Sequence, residues 1–254
     1  MEPTATPTPY CGPAPAPEAL LYAWNFDVVA IALCAALAVT HFLRQDRGGG
    51  VPLASAIVLI LVLFLSPLCA LTTALFSARV AHHVVLIAIV APMLALAFPE
   101  RERSATRRIP LAWLVVAHTA IVWLWHAPAL YAVGVSGAFA YWAMQLSLLG
   151  SAVLMWRRLL APGLAMGSAL FAYLATIVQM GMLGALLTFA DRPLYELHLT
   201  TTLPYGLTPV ADQQLAGLVM WVPAALPYLL AALLLVARRF DRTDDATGAA
   251  RAAR

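Results

Sequence analysis

The sequence predicts an all-α, polytopic membrane protein: seven transmembrane helices, the N-terminus outside and the C-terminus in the cytoplasm. Three observations predict it. First, 63% of the 254 residues are hydrophobic and 11% are charged, whereas a soluble domain carries about a quarter charged residues. Second, seven apolar runs approach or exceed the roughly 20 residues that a helix needs to cross a bilayer. Third, the 15 basic residues are all arginine, and they alternate between the two sets of loops. Arg44, Arg47, Arg101, Arg103, Arg107, Arg108, Arg157, Arg158, Arg238, Arg239, Arg242, Arg251 and Arg254 fall in one set; only Arg79 and Arg192 fall in the other. Arginine-rich loops stay in the cytoplasm, so this split sets the orientation and supports seven spans.

Each element follows in order. Residues 1–26 hold no basic residue and many Pro and Ala; they read as a flexible extracytoplasmic tail rather than a signal peptide. The spans are expected at about 27–43, 52–76, 80–98, 109–128, 138–156, 167–190 and 213–237, within a single membrane domain over 27–238. Runs such as Ser55 to Leu65 do not alternate in polarity, which excludes a β-barrel. Gly48 to Gly50, Pro99, Pro110, Pro162 and Gly163 punctuate the loops, and the prolines at 67, 92, 223 and 227 are expected to kink their helices. Trp24, Trp123, Trp125 and Trp142 are placed near the outer interface, and Trp113 and Trp156 near the inner one. Residues 239–254 read as a disordered cytoplasmic tail. Met180, Met182 and Met220 are read as core filling. The arginines near 101–108 suit anionic lipid; nucleic acid is not expected as a partner.

The sequence carries none of the usual catalytic signatures, and an enzyme is not expected. Polar groups at membrane depth are costly and therefore informative. The topology brings His82, His83, His126, His198, Asp212 and Gln213 to the outer face, with Cys69 and Met144 within about two helical turns. Imidazole, thioether and thiolate are ligands for Cu(I). His83, His126, Met144 and Cys69 are therefore the candidate metal ligands. The sequence fixes no cofactor; copper is the metal this donor set would suit. His118 lies mid-membrane and is expected to bond Gln179 or Thr176. Cys11, Cys34 and Cys69 include no CxxC, so a disulfide framework is not expected, and Cys11, in the tail, is left as a free or reactive thiol.

Several stretches carry a resemblance. They are Trp24, Phe26 and Asp27; Ser66-Pro67-Leu68; Phe76-Ser77-Ala78 with His83 and Ala91-Pro92; Trp125 through Tyr131; and Asp212-Gln213-Gln214-Leu215-Ala216-Gly217 followed by Met220 to Pro223. In this order they resemble the multi-span CtaG type of cytochrome c oxidase assembly factor. The resemblance implies a seven-span protein of the bacterial inner membrane that supports maturation of a haem–copper oxidase and assists copper delivery. Oxidase subunits or other assembly factors would be its partners, with membrane lipid around it. A non-catalytic structural subunit of the oxidase and a copper transporter are the alternatives. The chain departs from the family pattern: Arg79 stands where a histidine is usual, Tyr141 and Gln145 where a histidine pair is usual, and Cys69 where an acidic residue is usual. Arg79 is expected to pair with Asp212, joining the third span to the seventh.

Overall fold

The computed structural model describes residues 9–44, 48–100 and 105–252. The first eight residues of the expected tail, and Arg47, Arg101, Arg103 and Arg254 of the topology argument, lie outside them. The protein is all-helical, 78% helix, with no strand among the described residues.

Asp27 starts helix α1 (Val28–Arg44) by accepting from the amides of Val29 and Ala30 at 2.8 and 3.0 Å, satisfying donors that a first helical turn leaves open. Helix α2 (Gly50–Leu65) stops at Ser66-Pro67, and α3 (Pro67–Ala74) leaves it at 52°. Proline lacks the amide an uninterrupted helix would need, but suits a first helical position. The Ser66 hydroxyl caps the new helix through the Leu68 amide at 3.2 Å. Ala127-Pro128 repeats the device: α6 (Leu111–His126) breaks by 80° into α7 (Pro128–Val135).

Pro92 acts differently. Helices α4 (Phe76–Val85) and α5 (Ala91–Ala97) join through a π-helical turn, Leu86–Val90, into one 22-residue span. The Ile87 carbonyl accepts from the Trp156 indole at 3.0 Å, so the loosened turn keeps its polar groups paired. This places Trp156 in the core, stacked on Tyr228 at 4.9 Å. Trp142 is buried as well.

Helices α8 (Ala138–Leu159) and α9 (Met166–Thr188) are long enough to cross a membrane unaided, as is Pro209–Phe240, which combines α10 (Pro209–Trp221) with the first part of α11 (Ala225–Ala252). With Phe76–Ala97 these make four spans, or six when each bent pair counts as one. Helix α1, with 17 residues, is the remaining element of the expected seven. Helix α11 continues to Ala252.

Small residues bring α9 against α10. A Cβ on Gly184 would sit 2.7 Å from the Gly217 carbonyl oxygen, and one on Gly217 would sit 2.5 Å from that of Gly184. Contact this close requires glycine on both sides. Gly181 has ordinary room, 3.6 Å from the Trp221 ring. The opposite stripe of α9 exposes Phe171, Leu174, Val178, Met182 and Leu186, at the 3- to 4-residue spacing of one helical face. That face is apolar and suits lipid. Met180 and Met220 are buried as expected; Met182 faces outward.

A buried polar chamber as the candidate functional site

The broken helices α3 and α7, the 189–208 loop and the ends of α4, α6, α8 and α10 gather at one end of the bundle. Helix α4 begins there, and its first amides need acceptors. Asp212 of α10 supplies them across 135 to 136 residues of sequence. It accepts from the Phe76 amide at 2.6 Å, the Ser77 amide at 3.2 Å and the Ser77 hydroxyl. The expected Arg79–Asp212 ion pair does not form. Asp212 does join the third span to the seventh, but as a helix cap, because a carboxylate at a helix N-terminus meets both open donors and the positive end of the dipole.

Arg79 and His83 lie four residues apart, on one face of α4. Arg79 is 1% exposed, and its guanidinium carbon lies 5.4 Å from the centre of the Tyr141 ring. Its Nε and Nη1 have no hydrogen-bond partner. The His83 ring centre is 5.6 Å from that of His126. His83 Nε2 is 3.4 Å from the Gln145 amide nitrogen. His126 Nδ1 donates to the Val122 carbonyl at 2.7 Å, which leaves Nε2 as the lone-pair nitrogen. That nitrogen is buried and unpartnered, as are His83 Nδ1 and Gln145 Oε1.

The other expected residues divide. His198, in the short 3-10 turn Glu196–His198, meets the Tyr131 hydroxyl at 2.7 Å and the Ala74 carbonyl at 3.4 Å. Burial lowers its pKa to about 4, against the pull of the Ala74 carbonyl and with help from the Arg79 charge; it is neutral at pH 7. His82 turns away from His126 and packs edge-on to Phe64 at 4.9 Å. Gln213 holds the 189–208 loop, accepting from the Leu194 amide at 2.7 Å and donating to the carbonyls of Leu187 and Arg192. His118 bonds Ser151 at 2.9 Å rather than Gln179 or Thr176. Gln179 accepts from the Trp123 indole, and the Thr176 hydroxyl turns to the Ala172 carbonyl.

Two of the four candidate metal ligands therefore meet. Met144 is fully buried, with its sulfur packed at Gly134 of α7. Cys69 is joined to Cys11 by a disulfide with Cα atoms 5.5 Å apart. This overturns the reading of Cys11 as free and removes Cys69 as a ligand in this state. Among the described residues no three His, Cys, Asp or Glu side chains form a metal-ligand group.

The disulfide forms because residues 9–11 dock. The Tyr10 amide donates to the Val135 carbonyl at 3.1 Å, its ring stacks on Tyr141 at 4.4 Å and its hydroxyl accepts from the Trp142 indole at 3.0 Å. A Pro- and Ala-rich segment gave no signal of this. Tyr131, Tyr141 and Tyr195 also complete the chamber wall; the Tyr195 hydroxyl donates to the His126 carbonyl at 2.7 Å. Tyr131 was visible as the end of the Trp125 to Tyr131 motif, whereas Tyr195 carried no distinguishing pattern.

Together these features define a class: a multi-pass helical membrane protein with a buried polar cluster, flanked by aromatic rings, at one end. Within that class the chain belongs to the cytochrome c oxidase caa3 assembly factor family, whose model matches residues 51–242. Neither the comparison with curated proteins nor that with solved structures returned a match. The family identifies a cytochrome c oxidase assembly factor.

Proposed function

We propose that this assembly factor acts as a seven-span protein of the bacterial inner membrane, with the chamber at the outer face, and that His83 and His126 carry a copper ion on its way to the oxidase. The observation behind this reading is the unpartnered Nε2 of His126, fixed as a lone-pair donor beside His83. A buried polar atom without a partner is costly, and two imidazoles this close suit the low coordination number of Cu(I). The arginine split supports the orientation. A deletion strain is expected to lose assembled cytochrome c oxidase with its transcripts unchanged. His83→Ala and His126→Ala, restored to that strain, should each fail to rescue it. Full rescue by both variants would reject the histidine path.

A second reading rests on Arg79, a buried fixed cation four residues before His83. In this reading the chamber is structural, and the protein is a stable oxidase partner. Stoichiometric recovery of the chain with mature, active oxidase favours it. Recovery only with immature complexes favours the assembly role.

A further inference from the structure

Arg79 and the Cys11–Cys69 disulfide pose two problems with one solution. Arg79 is fully buried with two nitrogens unpaired, and an arginine cannot shed its charge to escape that cost. Of the two buried acids here, Asp212 is committed to the cap of α4, and Asp27 holds the start of α1 through one carboxylate oxygen. The Tyr141 ring that lies against Arg79 also brings its hydroxyl to 3.6 Å from the Cys11 sulfur and 3.9 Å from that of Cys69. On the other side, the Asn25 amide donates to the Cys69 sulfur at 3.5 Å. A guanidinium is thus held one aromatic ring away from two sulfurs.

We propose that Cys11 and Cys69 in the reduced state form a Cu(I) site, and that the disulfide is its closed state. Reduction consumes two electrons and two protons. A dithiol reductant supplies the electrons and becomes a disulfide itself, leaving two thiols here. Cu(I) then displaces both protons and is held by two thiolates, its preferred soft ligands. Two thiolates and one Cu(I) carry a net charge of minus one, which the Arg79 cation offsets. A zinc dithiolate would be neutral and would gain less from Arg79. The cation that disfavours a bare metal ion at His83 therefore favours an anionic copper centre beside it. The site rests on and deepens the metal-handling reading of this region: the docked segment at residues 9–11 brings Cys11 to Cys69, with the Tyr141 ring between the sulfurs and Arg79.

The test uses the full chain in lipid nanodiscs. Reduced wild-type protein, loaded anaerobically with Cu(I) and desalted, is expected to retain one copper with two sulfur neighbours by X-ray absorption. Air reoxidation should expel the sulfur-bound copper and restore the disulfide, read by thiol alkylation and mass; this arm needs no variant to fold. Cys11→Ser and Cys69→Ser should each abolish the two-sulfur signature. Arg79→Gln should weaken Cu(I) binding by about tenfold or more, and Arg79→Lys should restore most of it. Copper bound through nitrogen alone in the reduced protein, sulfur-bound copper persisting in Cys11→Ser, or failure of the two thiols to pair on oxidation would each overturn the proposal. So would unchanged affinity in Arg79→Gln. His83→Ala and His126→Ala should keep the sulfur-bound copper. Loss of oxidase assembly in those variants then bears on the histidine path alone.

Discussion

Asp212 accepts from two backbone amides and a hydroxyl at the start of α4, so its removal reaches beyond one side chain. Hydrogen bonds to a charged group contribute about 1.5 to 3 kcal/mol. Asp212→Ala should therefore destabilise the protein by roughly 3 kcal/mol, and Asp212→Asn, which keeps an acceptor, by about half as much. Thermal unfolding in matched detergent measures both. His198 gives a pH signature. Its pKa is about 4 in the folded protein against an ordinary 6.5, so between these values the unfolded chain holds a proton that the folded chain lacks. Stability is full above about pH 7 and falls as pH drops through 6.5 toward 4, by roughly 3 kcal/mol at most. His198→Gln should flatten that part of the stability profile. Asp212 and the histidines were legible because polar residues near a membrane demand explanation. Their partners were not, since a cap spanning 135 residues leaves no local spacing to read.

At the scale of elements, the contact between α9 and α10 is backbone to backbone at Gly184 and Gly217. Gly217→Ala would force a methyl into the carbonyl of Gly184 and the side chain of Thr188, where overpacking costs about 1 to 3 kcal/mol. Gly181→Ala meets only ordinary contact with Trp221 and should leave the unfolding midpoint within about 1 °C of wild type. Hydropathy located the apolar runs but could not separate a tolerated proline from a breaking one. Pro92 sits inside a long span because a π-turn and Trp156 accommodate it. Pro67 and Pro128 each begin a new helix. The difference lies in tertiary partners distant in sequence.

For the whole molecule, the topology proposed from the arginine split makes α1 the first crossing. Reporter fusions after Arg108 and after Asp191 should report opposite sides of the membrane, and a fusion after Arg44 should match the one after Arg108. Agreement between the Arg108 and Asp191 reporters would reject the orientation. The apolar span at 167–190, which became α9, was readable from composition. The docking of residues 9–11 was not, because it depends on Tyr10 meeting Tyr141 and Trp142, groups more than a hundred residues away.

The long reach of Asp212 also has a meaning in time. The amides of Phe76 and Ser77 emerge from the ribosome 136 and 135 residues before the carboxylate that pairs them. Until α10 is made, the start of α4 lacks its Asp212 cap. A nascent chain released before that point carries the histidines and both cysteines, yet lacks the completed vessel. The last helices of the chain therefore set the moment at which this assembly factor is itself assembled.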